Sequence, residues 1–365
     1  MGSSSPAARE GGKSAVPGSA RPTVAVIGAT GAVGAAFLRV AEERDFPAGE
    51  LRLLASARSA GRRLRFRGED HVVRETSEET LAGADIVFCS ATSEVSKRWG
   101  PVVAASGGVF IDDGSAFRME PSVPLVVPEV NGDDVEWHRG ILSIPNCTTT
   151  PLVLALHAMR RVAPLARVTA ATYQSVTGVG AAAARELRAQ LQAIAAGDDP
   201  APPQELPHQI ALNVIPQVDD FSEEGYTREE LKMQNESRKI LHLPDLRFSA
   251  TCVRVPTMVG HAEAVHVEFD SPAPLQALRA ELQAQPGLEL QDDPGAGLYP
   301  TPLTSEDDDS VFVGRLRRDP SVEHGAVFWV VSDNLRKGAA TNAIQIAEEV
   351  LARGRLGTRE AARAL

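Results

Sequence analysis

The stretch Thr23-Val24-Ala25-Val26-Ile27-Gly28-Ala29-Thr30-Gly31-Ala32-Val33-Gly34 decides the fold. Its first five residues are a short apolar run rich in β-branched side chains, and a helical pattern over 32–44 follows the glycines. Strand, glycine turn and helix in that order open a βαβ unit. Glycines at 28, 31 and 34 let the backbone approach a ligand. Backbone N–H groups along Gly28, Thr30, Gly31, Ala32, Val33 and Gly34 then cradle a diphosphate at the helix start. The competing reading is a tight strand-to-helix turn that holds nothing. A second strand is expected at 51–55, and its end separates the cofactors. An NAD site uses an acidic residue there for the ribose hydroxyls, whereas this chain carries Ser56, Arg58 and Ser59. An arginine with two hydroxyls suits the 2′-phosphate of NADP, against the plainer reading of Arg58 as a solvated loop charge.

Working outward, strands at 84–89, 109–111, 125–127 and 141–143 alternate with helical or loop segments such as 92–105. This predicts an α/β fold whose N-terminal part is a doubly wound, Rossmann-type NADP domain. After residue 147 the texture changes to longer alternating strands at 167–175, 248–257, 264–269, 310–317 and 326–332. Helices at 181–196, 228–241 and 274–285 interrupt them, which suits an α+β domain with a mixed or antiparallel sheet. The proline-rich stretch 197–207 reads as a surface loop. Residues 338–353 are apolar at helical spacing and are expected to return to the first domain. The expected division is a disordered tail at 1–21, a dinucleotide-binding domain at 22–145 completed by 334–354, a catalytic and dimerisation domain at 146–333, and a second tail at 355–365.

The chain has 365 residues, 43% of them hydrophobic, enough for two cores, and only 5% aromatic, so Ala, Val and Leu must fill them. A formal net charge of -11 argues against nucleic acid and anionic membranes as partners. No apolar run approaches the roughly 20 residues of a membrane span. Cys89, Cys147 and Cys252 are far apart and form no disulfide scaffold, so a reducing, cytoplasmic setting is expected. A metal site is not expected, because His261 and His266 lack ligand spacing and no cysteine pair accompanies them.

Cys147 stands in Ser143-Ile144-Pro145-Asn146-Cys147-Thr148-Thr149-Thr150, at the start of a helix expected over 149–161. A thiol there faces unpaired N–H groups and the positive end of the dipole, which lowers its pKa from about 8.5 toward thiolate. That makes Cys147 a candidate nucleophile, beside the reading of a buried cysteine as a small apolar filler.

With the glycine turn and Cys147 in place, the chain closely resembles the aspartate-semialdehyde dehydrogenase family over about 22–353. The segments that carry the resemblance are 26–34, 51–60, 112–131, 145–148, 173–180, 213–221, 229–241, 251–261, 311–317 and 333–348. The resemblance implies NADPH-dependent reductive dephosphorylation of β-aspartyl phosphate to aspartate semialdehyde, a branch step toward lysine, threonine, methionine and diaminopimelate. It also implies a homodimer or homotetramer built through the catalytic domain. An acyl phosphate becomes an aldehyde without hydrolysis if a thiolate expels phosphate and leaves a thioester that accepts hydride. Cys147 matches the nucleophile. The family pattern in Arg254-Val255-Pro256-Thr257-Met258-Val259-Gly260-His261 puts the acid–base imidazole on His261, with a pKa near the working pH.

By the same resemblance Gln174 orients the bound acyl group, and Arg254 takes the substrate α-carboxylate through a bidentate fork. Glu230 meets the ammonium group, Arg118 and Lys232 hold the phosphate, Asn146 fixes the turn before the nucleophile, and Asn334 reaches the nicotinamide end. The sequence departs from the family where the usual Ser-Ala-Gly-Gly-Ser reads Ser90-Ala91-Thr92-Ser93-Glu94, adding a carboxylate beside a polyanion. It departs again at Ile144 and Thr177. N-acetylglutamyl-phosphate reductase shares the thioester logic but has no use for Glu230. A paralogue acting on another acyl phosphate and a non-catalytic binding homologue are the remaining alternatives.

Overall fold

The computed structural model describes residues 21–357, so the tails expected at 1–21 and 355–365 lie outside the described residues except at 21 and 355–357. The first half runs β1 (Thr23–Ile27), α1 (Ala32–Glu43), β2 (Glu50–Ala55), β3 (Arg63–Phe66), β4 (Glu69–Val72), β5 (Arg74–Glu75), β6 (Ile86–Cys89), α2 (Ser93–Ala105), β7 (Val109–Asp112) and β8 (Ile141–Ser143). Then follow α3 (Thr149–Met159), β9 (Leu165–Gln174), α4 (Ala181–Ala196), α5 (Arg228–Ile240), β10 (Arg247–Arg254) and β11 (His261–Phe269). The chain closes with α6 (Leu275–Ala284), β12 (Leu288–Leu290), β13 (Val311–Arg318), β14 (Gly325–Ser332) and α7 (Thr341–Ala352).

The first sheet is parallel with order β5-β2-β1-β6-β7-β8. Alternation within β1 explains its two covers. Val24 and Val26 face a core shared with Phe37 of α1 and with Ile344, Ala347 and Val350 of α7. Ala25 and Ile27 face the opposite core, with Trp99 and Val103 of α2. Full burial of a Val, Ile or Phe side chain contributes about 1.5–3 kcal/mol, so the apolar stripe of α7 holds that helix against the first sheet, as its spacing predicted. The run 125–127 is not a strand. Pro124 and Pro128 bracket it, and it makes one bridge, Leu125 to Ser143.

The second sheet is mixed, with order β10-β9-β11-β14-β13-β12 and parallel pairing only at its two ends. β11 starts three residues before the expected boundary and so carries His261 itself. Helix α3, nearly all of it buried, is the centre of the second core, with Leu152, Leu156 and Met159 against Val265, Phe328 and Val330. Because β8 belongs to the first sheet and α3 to the second core, the chain crosses between the layers at Asn146-Cys147-Thr148. Among the described residues no helix is long and apolar enough to cross a membrane.

Candidate active site

The glycine turn sits at the carboxyl ends of β1 and β6, where the strand order departs in two directions from β1. Gly28 has φ +85°, and a Cβ there would stand 2.1 Å from the Ser90 carbonyl oxygen. A Cβ on Gly34 would stand 2.5 Å from the Gly28 carbonyl oxygen. Only glycine fits either place. The Gly28 and Gly31 N–H groups, expected in the cradle, donate instead to the Leu54 carbonyl at 2.9 Å and the Gly28 carbonyl at 3.0 Å, which leaves the cradle to Thr30 and to Ala32, Val33 and Gly34, whose N–H groups in the first turn of α1 have no helical partners. Ser56, Arg58 and Ser59 follow β2 on a turn at the same carboxyl end of the sheet, Ser56 and Arg58 exposed and Ser59 half-buried. A backbone cradle closed to any side chain, with a cation at the end of β2, fits a phosphorylated dinucleotide. Glu94 lies exposed in the first turn of α2, where its own N–H and the Thr92 hydroxyl hold its carboxyl below the usual value.

From that cradle a small apolar cavity lined by Val33, Phe37, Phe88, Ile144 and Ala340 leads inward, with Ser90 and Asp113 as its polar edge. Ser90 Oγ donates to Asp113 Oδ2 at 2.9 Å. Cys147 is half-buried, and its Sγ donates to Asn146 Oδ1 at 3.7 Å. Gly338, in the turn before α7, lies so near that a Cβ on it would be 2.9 Å from Cys147 Cβ. The thiol does not behave as its place at a helix start predicted. Burial pushes it up to about 12, the Glu229 carboxylate adds to the rise, and Arg118 and Arg254 only partly oppose it.

The second sheet supplies the wall opposite. Register places Arg254 beside Gln174, Gln174 beside His261 and His261 beside Ser332 across β10, β9, β11 and β14. Arg254 is buried, donates through Nη1 to the Ser175 carbonyl at 2.7 Å, and keeps Nε without a partner. Gln174 donates to Glu229 Oε1 at 3.0 Å and accepts from Thr172 Oγ1 at 2.9 Å. His261 is 1% exposed, with Nε2 unpartnered. Burial and then the Arg254 charge press it down to about 3.

Helix α5 brings the charged residues, and here one sequence expectation is corrected. Glu230 is not in the site. Its Oε2 accepts from Thr227 N–H at 2.7 Å in a capping box, and its Oε1 accepts from Cys252 N–H at 2.9 Å on the edge strand. The carboxylate that faces Cys147 is Glu229. Its Oε1 accepts from Asn146 Nδ2 at 2.6 Å and from Gln174, and its Oε2 accepts from Lys232 Nζ at 3.3 Å. Burial alone would raise its pKa, but the Lys232 charge and the two amide donors hold it below the ordinary value. The capping box Thr227-x-x-Glu230 was readable in the sequence and would have claimed Glu230 first.

Two turns beyond Glu229, Glu236 was also missed, although it repeats the 229, 232, 236 face of the helix. Its Oε1 accepts from Arg118 Nη1 at 3.0 Å, and its Oε2 accepts from Asn146 N–H at 2.7 Å. Asn146 is thus held from both sides, by its backbone N–H on Glu236 and by its amide on Glu229. Arg118 and Lys232 come close enough for the Arg118 charge to work against Lys232 protonation, while Asp219 and Glu229 support it. Both cations are already paired, Arg118 with Glu236 and Lys232 with Asp219 and Glu229, and Arg118 keeps Nε without a partner. Asn334 departs from expectation. Its amide is spent on Gly260 N–H, Ser175 Oγ and Thr177 Oγ1 beneath the imidazole. Among the described residues no group of three or more His, Cys, Asp or Glu is arranged to hold a metal ion.

Residues 23–138 match the model of the semialdehyde dehydrogenase NAD binding domain, and residues 156–337 that of the semialdehyde dehydrogenase dimerisation domain. The aspartate-semialdehyde dehydrogenase of Aquifex aeolicus (strain VF5) is 46% identical over 334 residues, 91% of this chain and 98% of that one. The crystal structure of aspartate semialdehyde dehydrogenase II complexed with ASA from Vibrio cholerae aligns with TM-score 0.87 and 42% identity, covering 92% of this chain and 99% of that one. The aspartate semialdehyde dehydrogenase structure with NADP from Candida albicans aligns with TM-score 0.72 and 25% identity, over 92% of this chain and 99% of that one.

Proposed function

The chain belongs to the aspartate-semialdehyde dehydrogenase family, and from that premise we infer that it reduces β-aspartyl phosphate to aspartate semialdehyde with NADPH, releasing phosphate. The observation that carries this reading is the arrangement around Cys147. One buried carboxylate, Glu229, lies beside an arginine with an unpartnered Nε, Arg254, and beside the cation pair Arg118 and Lys232. An amino acid bearing an acyl phosphate offers an ammonium, a carboxylate and a phosphate, and these three sites answer to them.

Glu229 takes the ammonium, with Gln174 and Asn146 fixing its orientation. Arg254 takes the α-carboxylate, and Arg118 with Lys232 takes the phosphate as it leaves. Cys147 passes its proton to His261 as its sulfur bonds the acyl carbon and the carbon–phosphate oxygen bond breaks, which leaves the acyl group as a thioester that accepts hydride. His261 faces the acyl oxygen, where negative charge gathers in both halves of the reaction. When bound at Gly28, Thr30, Gly31, Ala32, Val33 and Gly34, with Ser56, Arg58 and Ser59 at the 2′-phosphate, NADPH supplies the hydride. The product feeds lysine, threonine, methionine and diaminopimelate synthesis. Residues 22–145 with 334–354 form the dinucleotide-binding unit and 146–333 the catalytic unit, which joins copies of the chain into a homodimer or homotetramer in the cytoplasm.

The test is the reverse reaction, with NADPH formation followed from aspartate semialdehyde, phosphate and NADP. Activity that requires phosphate and prefers NADP to NAD is expected. A folded protein that binds NADP yet turns over N-acetylglutamate semialdehyde, and not aspartate semialdehyde, would reverse the assignment.

A further inference from the structure

Helix α7 is entered through a turn that is one residue too long for an α-helix. Gly338 N–H donates to the Asp333 carbonyl and Ala340 N–H to the Leu335 carbonyl, each at 3.1 Å and each across five residues, so 336–340 is a π turn. Such turns are rare and are frequent at functional sites. Here the bulge carries Gly338 onto the nucleophile. A Cβ on Gly338 would stand 2.9 Å from Cys147 Cβ and 3.3 Å from its Cα. The backbone at 338 is not left-handed, so it is the close approach alone that calls for glycine. The next two residues, Ala339 and Ala340, line the apolar cavity that runs in from the cofactor turn, together with Val33, Phe37 and Ile144. One short turn thus walls both the thiol and the cavity.

All five residues of the turn are buried, and two of them are charged. Lys337 is 1% exposed, and its Nζ donates to the two oxygens of Glu129 at 2.8 and 2.7 Å, to Gln345 Oε1 at 2.7 Å and to Asn342 Oδ1 at 3.3 Å. An ammonium out of water needs a partner for each of its three protons, and these acceptors supply them. The acceptors are themselves fixed. Gln345 Nε2 donates to Glu129 Oε1 at 2.8 Å, and Asn342 Nδ2 donates to the Val126 carbonyl at 2.9 Å. The turn after α6 closes on Glu129 from the other side, where a Cβ on Gly287 would stand 3.0 Å from Oε1 and Gln285 Nε2 donates to the Glu129 carbonyl at 3.3 Å. Arg336 adds a second anchor, donating through Nε to Asp309 Oδ1 at 2.8 Å and through Nη2 to Glu43 at the end of α1. None of these charges has a part in the reaction above.

We propose that Lys337 and Glu129 are positioning residues whose buried pair clamps the π turn, so that Gly338 seats Cys147 and the acyl group on its sulfur is presented to the cavity from the cofactor turn. The inference deepens the reaction proposed above and rests on it. Rate depends steeply on such placement, and a displacement of about 1 Å can cost about 100-fold. Because the ammonium is enclosed by its acceptors, its loss should appear in the rate and not in affinity.

Two readouts on the full-length protein test this. The first needs neither substrate nor NADP. In Lys337→Met, iodoacetamide should alkylate Cys147 about 3–10-fold faster, read by mass spectrometry of its peptide, because the Gly338 wall is released. The second is the burst of NADPH from aspartate semialdehyde and NADP without phosphate. Its rate constant should fall about 10–100-fold with the amplitude kept, while KM for aspartate semialdehyde and the affinity for NADP stay within about 3-fold. The double variant Lys337→Met with Glu129→Gln leaves no unpaired buried charge, should behave in the same way, and takes the place of the single variant if that one unfolds. Gly338→Ala should slow the burst as well, since its Cβ would meet Cys147. A lower amplitude at the wild-type rate constant would report only a smaller folded fraction and overturn the inference. Unchanged alkylation, or a loss carried wholly by KM, would overturn it too. A wild type that gives no burst sinks the proposed reaction, and the alkylation rates still decide the clamp.

Discussion

The glycine turn at 28–34 and the nucleophile turn at 146–149 both open a helix, and they use that helix start in opposite ways. At the first, function belongs to the backbone. Gly28 and Gly34 leave no room for a side chain, and the N–H groups of α1 remain for a ligand. At the second, a similar start is outweighed by what is packed around it. Burial and Glu229 raise the thiol to about 12 against whatever the helix start contributes. A helix N-terminus is therefore a local geometry, and its effect on a side chain is decided by the other groups buried there.

Removing the nucleophile should have the largest effect. Cys147→Ala should cut phosphate-dependent NADPH formation by at least about 10,000-fold while NADP still binds, and near-native turnover would refute the covalent scheme. Breaking the glycine end should look different. Gly28→Ala forces a side chain onto the Ser90 carbonyl at a φ of +85°, so NADP affinity should fall about 100-fold or the protein should lose about 2 kcal/mol or more of stability. Fluorescence titration and urea unfolding distinguish these.

A sharper contrast lies within α5. Glu229→Gln should reduce kcat/KM for aspartate semialdehyde about 10–100-fold with little change in unfolding midpoint. Glu230→Ala should do the reverse, costing about 1–3 kcal/mol through the lost cap and the stranded Cys252 N–H, with KM nearly unchanged. If Glu230→Ala damaged KM more than Glu229→Gln, the placement of the ammonium site would be wrong.

The buried thiols also predict a pH trend. Cys89 and Cys147 are both raised to about 12, in each case first by burial. Their contribution to stability is complete below the ordinary thiol pKa of 9.0 and is lost as pH climbs from there through about 12, because the unfolded chain ionises first. Between about pH 9 and pH 10 the loss should be about 1 kcal/mol per thiol, visible as a falling urea midpoint. The smallest effect is expected at Glu94, where Glu94→Gln should tighten NADP about 2–5-fold by removing a charge from beside the diphosphate.

What was legible in the sequence follows the same division. The alternation Val24, Ala25, Val26, Ile27 and the spacing of Ile344, Ala347 and Val350 are local patterns, and the first sheet and the return of α7 follow from them. The segment 63–72 escaped notice, because Arg63-Leu64-Arg65-Phe66 facing Glu69-Asp70-His71-Val72 buries only Phe66 fully. In the site, Cys147, Gln174, Arg254 and His261 stand together, although burial works against the ionisation expected of Cys147 and His261. The exchange of Glu230 for Glu229 is one residue, yet on a helix it turns the side chain by about 100°. No single-sequence pattern carries the burial that sets those two ionisations, because it comes from residues more than eighty positions apart, as between Ser175 and His261.

The most direct measurement omits phosphate. Protein mixed with NADP and aspartate semialdehyde should release one equivalent of NADPH per Cys147 and stop, and mass spectrometry should find an aspartyl acyl group on the peptide that contains Cys147. Adding phosphate should then discharge the thioester and restart turnover. Sustained NADPH formation without phosphate, or a Cys147 peptide that never gains the acyl mass, would contradict the account.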